Sequence, residues 1–480
     1  MTTIPVPATT REQRPPLTWS RLQTRFRLLL LGAAAVVLAL ITMAQAINAY
    51  TTSYELFRGI AEVNSTTVDA SERALQYIAQ ASQAAADYTV LTSDTPLYEQ
   101  AQTDIFRNFA SFRDEMAILR GNLQSDAERT AYTVAETFTF SRFWRHVSDL
   151  VAQRSNDAVA RQQYLAADNH VRNWINPALQ SLENLNFAQM EQAGADAGGI
   201  ITSQVILLGI PALALALLVT YLSMMLRQKV HRYLTPGIDL ALVLSWLLLL
   251  VMVINLLGMP NQLNVMIQDA YRSVSGSSRV LVDANLANRA ESSELLDTER
   301  AQSWDARFDE AGALVELRIC GAAGCLGQTF ISGASDQPNA QAVRAAQNIS
   351  SENSARIAGI IPLVANITFA GETAALERAR TAFIDYLAVN AALRSQIASG
   401  DISGAVELNT STEPGASQEA FDRFANAMEQ VRTVNRKVFD DVWGSASASL
   451  QTNRVLFGLA GYTLIGFLIV FGVYHRYREL

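Results

Sequence analysis

Hydrophobic residues in this chain gather into four long runs, over 28–48, 200–226, 238–259 and 455–474. Two long stretches between them carry apolar positions at helical spacing. Each run approaches or exceeds the ~20 apolar residues that take an α-helix across ~30 Å of hydrocarbon. No Lys, Arg or Glu lies inside any run, and Asp239 stands at an edge. A helix satisfies its own backbone hydrogen bonds in lipid, so the pattern predicts four transmembrane helices.

The connecting segments, 49–199 and 260–454, have narrower apolar stripes. In the first, Ile105, Phe109, Phe112, Met116, Leu119 and Leu123 recur in alternating steps of four and three, a heptad seam. Phe140, Trp144, Val147 and Val151 continue it, as do Val171, Ile175, Ala178, Leu182 and Leu185, with a weaker version between Tyr54 and Ile78. Breaks at 92–96, 121–125 and near 155–157 cut the segment into four helices, the plan of a four-helix bundle whose first and last helices run on into spans. The second segment has seams through Leu376, Ala379, Phe383, Tyr386, Leu393 and Ile397 and through Phe421, Phe424, Met428, Val431, Val438 and Val442. Asn390 and Asn435 occupy seam positions, where a buried amide fixes register or contributes to a pocket. Over about 295–335 the seam fades, and 313–319 with 328–331 read as two short strands around a cysteine loop. The expected fold is therefore an all-α membrane protein: four transmembrane helices with two extracytoplasmic helical bundles, the second carrying a small β-hairpin insertion. The order span, segment, span occurs twice around a hinge at Pro236-Gly237, the layout of a duplicated unit.

Charge orients this plan. The tail 1–27 carries Arg11, Arg14, Arg21, Arg25 and Arg27, the loop 227–237 carries Arg227, Lys229, His231 and Arg232, and the tail 475–480 carries His475, Arg476 and Arg478. Positive loops stay cytoplasmic, which puts both termini inside a bacterial cytoplasmic membrane and both long segments outside. The first run also fits a cleavable secretory signal ending at Ala44-Gln-Ala46, and either reading exports the segment after it. The exported segments hold the acidity behind the net charge of -8, and the whole chain has two lysines. That composition argues against nucleic acid as a partner.

Cys320 and Cys325, the only cysteines, fall in the exported second segment, where a disulfide or two thiols are the alternatives. No phosphate-cradling glycine loop, zinc-binding helix or nucleophile elbow occurs. The four histidines, His146, His170, His231 and His475, divide between the two sides, and neither an enzyme nor a cofactor or metal site is expected. The spans lack the internal charges of a transport path. Two clusters carry a binding hypothesis. Arg142, Trp144, Arg145 and His146 could hold a small anion beside aromatic surface, or could be a core tryptophan flanked by solvated charges. Arg227, Lys229, His231, Arg232 and Pro236 could dock a cytosolic partner, or could be positive-inside anchoring alone.

On these residues the layout resembles the extracytoplasmic four-helix-bundle sensor domains of bacterial chemoreceptors and histidine kinases. The turn 400–408 after an amphipathic helix, continued by the seam from Phe421 into a span, looks like the second half of such a domain. Chemoreceptors follow the second span with a linker and a signalling helix, whereas here a short loop leads to the third run. The whole plan is similar to actinobacterial four-span proteins associated with an amino-acid-binding lipoprotein and a soluble Ser/Thr kinase. That resemblance implies a relay that receives a loaded solute-binding lipoprotein outside and informs a kinase inside. A homodimer is among the assemblies the plan allows. The rival expectation is a structural or accessory subunit of a larger membrane complex.

Overall fold

Helix is the only regular structure among the described residues of the computed structural model, which are 19–91, 93, 95–230, 235–321, 325 and 363–479. In chain order the α-helices are α1 (Trp19–Arg58), α2 (Ser65–Val90), α3 (Pro96–Gly121), α4 (Asp126–Phe138), α5 (Trp144–Ala152), α6 (Asp157–His170) and α7 (Asn176–Val230). The second half of the chain adds α8 (Pro236–Asn264), α9 (Arg272–Leu296), α10 (Ala301–Cys320), α11 (Glu372–Ser399), α12 (Ile402–Thr410), α13 (Ser417–Asn453) and α14 (Tyr462–Glu479). π-Helical turns bridge several of these, at Gly59–Asn64, Thr139–Phe143, Val171–Ile175, Val265–Tyr271 and Arg454–Gly461.

Local chemistry explains the boundaries. The Thr95 hydroxyl accepts from the Tyr98 amide (3.3 Å) ahead of Pro96, whose missing N–H costs nothing in a first turn. Ser125 and Glu128 form a reciprocal capping box, and Asn156 caps α6 through the Val159 amide at 3.3 Å. Gly400 ends α11 with a φ of +84°, a conformation that a side chain would strain.

The chain divides into two compact units. The first, the span unit, comprises the chain up to Glu55, Gly198–Pro260 and the chain from Ser447. It contains four helices long and apolar enough to cross a membrane. Leu29, Val37, Leu40, Ile206, Ile210, Leu250, Ile254 and Phe467 are exposed on these helices, faces that lipid would cover favourably. The chain is thus a multi-pass membrane protein. Glycine sets the interhelix spacing. A Cβ added at Gly472 would lie 2.6 Å from Ile238 Cγ1, and one at Gly237 would lie 2.9 Å from the Leu468 carbonyl oxygen. Small residues allow such close backbone approach where no hydrophobic force drives helices together.

The second, polar unit comprises Leu56–Ala197 and Asn261–Ala446, so both long segments belong to one body. Each segment builds most of one apolar core, and Val282 of the second segment joins the first core. The first is built on Leu75, Ile78, Ile105, Phe112, Met116, Phe143, Val147, Tyr164 and Leu179, and the second on Leu281, Phe308, Val315, Leu376, Phe383, Tyr386, Phe424 and Met428.

The β-hairpin expectation is corrected. Residues 313–319 lie inside α10, and Trp304, Phe308, Ala311, Val315 and Ile319 form a buried stripe in steps of four, three, four and four. The run of Leu, Val and Ile at 314–319 mimics strand composition, but the inward-facing residues follow helical spacing. The second expected strand, 328–331, lies outside the described residues. α10 ends at Gly321 with a φ of +67°, and Cys320 is disulfide-bonded to Cys325. The Glu316 carboxylate accepts from the Cys325 amide at 2.7 Å, and Arg380 of α11 donates to the Cys325 carbonyl at 2.6 Å.

Candidate functional site

Two helices in the polar unit are enclosed on nearly every side. In α2 nineteen residues are buried, and in α9 twenty, Ser, Thr, Asn and charged residues among them. Small side chains permit this because their hydroxyls bond back to the preceding turn: Ser71 to Thr67 O (3.0 Å), Thr89 to Ala85 O (2.6 Å), Ser277 to Ser273 O (2.8 Å) and Ser293 to Arg289 O (2.8 Å). These hydroxyls need no partner from outside their own helix.

What remains between the segments is a ladder of charged and hydroxyl pairs. Tyr271 of the second segment donates to Asp69 of the first at 2.8 Å, and Arg436 meets the other Asp69 oxygen at 2.5 Å. Arg279 pairs with Glu183 and donates to Asn184 at 2.9 Å. Further along, Arg289 lies 3.3 Å from Asp168, Tyr164 is 2.6 Å from the Ser293 hydroxyl, Arg161 reaches Asp297 at 2.9 Å and Ser292 donates to Asp87 at 2.6 Å. Within the second segment Arg318 pairs with Asp283 at 2.9 Å, and Glu291 accepts from Asn390 (2.5 Å) and Ser417 (2.8 Å). Asn390 therefore serves the ladder, while Asn435 donates to Val431 O at 3.0 Å.

Burial changes the acids. Glu72 is pushed up to about 8 by desolvation first, then by the charges of Glu183 and Asp69, so it holds its proton at neutral pH. Desolvation likewise raises Glu291 and Glu294 to about 7 and Asp87 to about 6. Buried ion pairs of this kind recover little net stability, yet removing one partner strands a charge in a poorly solvated place. The ladder can hold two segments in one defined arrangement and penalise others.

The residues singled out in the sequence fall elsewhere. Trp144 stacks on Phe109 with ring centroids 4.0 Å apart, at the rim of the first core. Arg142 and Arg145 are exposed. His146 hydrogen-bonds Gln163 at 2.7 Å and stacks on His170 at 5.4 Å. Burial, with the charges of His146 and Arg142 adding to it, holds His170 below the ordinary imidazole range. In the span unit Arg227 pairs with Asp239 at 3.2 Å, and Asp239 also accepts from Ser223 at 2.7 Å and from the Thr235 amide at 2.8 Å. Pro236 opens α8. His231, Arg232 and the side chain of Lys229 lie outside the described residues.

Heptad seams of apolar residues do not reveal the ladder. Its signal is compositional: 65–90 and 272–296 are both rich in Ala and Ser, contain no Lys, and carry both acids and arginines.

Fold and site define a multi-pass membrane protein, helical throughout its described residues, whose two long connecting segments share one polar interior. No family model, curated protein or solved structure matches the chain.

Proposed function

We propose that this protein is a transmembrane signal relay without chemistry of its own. Its two long segments face outward from a bacterial cytoplasmic membrane, and both termini with the 227–237 loop face the cytosol. The supporting observation is the ladder. Segments separated in sequence by two spans are joined through charge pairs, the buried Arg289 with Asp168 and the half-buried Arg436 with Asp69 among them. Such pairs favour discrete arrangements over continuous ones, because a half-broken pair is penalised. An extracytoplasmic ligand, or a ligand-loaded binding lipoprotein, that binds one arrangement better shifts the population toward it. The helical runs Thr24–Val90, Asp157–Gln228, Pro236–Leu296 and Ser417–Arg478 each combine a span with part of the polar unit, which gives such a shift a covalent route. A cytosolic signalling protein, a Ser/Thr kinase by the resemblance noted above, reads the result at the arginine-rich loop.

Neutralising Arg227, Lys229 and Arg232 together should abolish recovery of a cytosolic kinase with the tagged protein while the exterior partner still co-purifies. Recovery of a large complex in fixed ratio, unaffected by those substitutions, would instead establish a bracing subunit.

A further inference from the structure

The arginines that line one cleft of the polar unit differ in their partners. Arg279 and Arg318 have their own carboxylates, Glu183 and Asp283. Arg172 and Arg307 make no ion pair among the described residues, Arg172 donating to Asn169 at 3.3 Å, and Arg172 and Arg289 stand close enough to Arg307 for their charges to act on it. Desolvation, together with repulsion from Arg172 and Arg289, lowers even the Arg307 guanidinium to about 10. One carboxylate, Asp168, lies within ion-pair distance of this trio, 3.3 Å from Arg289, without a hydrogen bond at that oxygen.

The same place holds buried polar atoms with no partner. They include Nη1 of Arg307, Nη1 of Arg289, the indole Nε1 of Trp304 and the amide Oδ1 of Asn176, together with the carboxylate Oδ1 of Asp168. Trp304, Arg289 and Asn176 are 5%, 6% and 6% exposed, so solvent cannot readily satisfy them. Arg307, Arg289, Trp304 and Asn176, with Arg172, line one cleft of about 900 Å³ between the first and second segments. Arg172, Trp304 and Arg307 also form the wall of a second cleft of about 570 Å³. The Arg307 guanidinium lies 4.1 Å over the Trp304 ring, a cation–π contact that holds it in place. Val282, Leu286 and Leu314 provide an apolar side. Of the carboxylates on the larger cleft, Glu183 and Asp283 are in the pairs above and Glu310 has an interaction of its own. Glu72 is held protonated by burial.

We propose that this cleft is a binding site for a small organic dicarboxylate, held by Arg172, Arg289 and Arg307 with the Trp304 indole N–H. Arg172 and Arg307 have no carboxylate of their own among the described residues, and a ligand with two carboxylates offers one to each. Planar carboxylates match guanidinium forks bidentately. Asn176 Oδ1 adds an acceptor, so a hydroxyl-bearing dicarboxylate such as malate is preferred over succinate. Because the site lies between the segments, occupancy favours the arrangement in which they are joined. That this carries a signal rests on the relay reading, whereas binding itself does not.

The test is calorimetric titration and thermal melting of the full chain in lipid nanodiscs, with malate, succinate and inorganic phosphate as probes and no partner protein present. Malate should bind and raise the melting temperature, with succinate weaker. Arg307→Gln should weaken malate ~10–100-fold while the unliganded protein melts no lower than wild type, since the substitution removes an unpaired enclosed charge. Trp304→Phe, which keeps the ring and loses the N–H, should weaken malate by less. Absence of malate binding, or malate binding unchanged in both Arg172→Gln and Arg307→Gln, would overturn the proposal. Phosphate binding more tightly than malate would overturn the dicarboxylate assignment. Failure to recruit a kinase would bear on the relay and leave these titrations untouched.

Discussion

In the span unit, helices approach one another through glycine, and their outer faces are leucine, isoleucine, valine and phenylalanine. In the polar unit, the two most enclosed helices, α2 and α9, carry buried hydroxyls and charged side chains along with their alanines. The contrast reflects the surroundings of each unit. Lipid gives apolar helices no hydrophobic reason to associate, so close van der Waals packing has to serve. Water lets the apolar cores of the polar unit form on their own and leaves its central helices to be matched by partners chosen for charge. The first arrangement is tuned by shape and the second by pairing.

The largest effect should come from breaking a pair. Asp283→Ala leaves Arg318 without its carboxylate, the two side chains being 2% and 8% exposed, and should cost ~3–5 kcal/mol. A melting curve of the purified protein reads it, and a loss below ~1 kcal/mol would show the ladder to be well solvated. The matching lesion in the span unit is steric. Gly472→Leu forces a side chain against Ile238, 2.6 Å from where its Cβ would sit, and should cost ~1–3 kcal/mol, whereas Gly466→Ala, with open space around it, should be tolerated. Equal melting of the two variants would remove glycine spacing from the account.

pH sharpens the contrast further. The carboxyls of Glu72, Glu291, Glu294 and Asp87 are raised above their unfolded values, to about 8, 7, 7 and 6. The folded protein therefore keeps protons that the unfolded chain releases above about pH 4. Their contribution is complete below the unfolded values and is lost as pH rises through the folded ones, so melting temperature should fall from pH 6 to pH 8.5. Glu72→Gln should remove a part of that slope on the order of 2 kcal/mol. A profile that rises over this interval, or one that Glu72→Gln leaves untouched, would contradict the assignment. The smallest effect belongs to exposed pairs: replacing Arg129, which meets Asp126 at 3.0 Å in the open, should change stability by less than about 0.5 kcal/mol.

The spans were legible because an uninterrupted apolar run has few other uses. Much of the first core was legible too: Ile105, Phe112, Met116, Leu119, Val147, Val171, Ile175 and Leu182 lie on the expected seams and are buried. The breaks at 92–96, 121–125 and 155–157 coincide with the ends of α2, α3 and α5, because Thr95, Ser125 and Asn156 each cap the helix that begins there. Legibility failed where polarity or composition misled. In α13 the seam was drawn through Val438, but Phe439 is buried, in step with Val431 and Asn435 at intervals of four. In α10 a β-branched run concealed a helical stripe, and in α2 and α9 much of the burial is carried by polar residues, which leave no apolar periodicity. Of the chosen binding residues, Trp144 proved to be packed against Phe109, and Arg227 to share Asp239 with Ser223 and Thr235. Arg172, Arg289, Trp304 and Arg307 come together only when helices from both segments are placed side by side, information that no local motif contains.

The most direct test of the shared polar interior is a double-mutant cycle between Asp168 and Arg289, which are 121 residues apart in sequence (289 − 168) and 3.3 Å apart in the fold. Asp168→Asn, Arg289→Gln and the double variant would be melted side by side in the full-length protein. The account predicts that the double variant loses ~1–3 kcal/mol less than the sum of the single losses. Strictly additive losses would mean that the two segments do not meet through this pair.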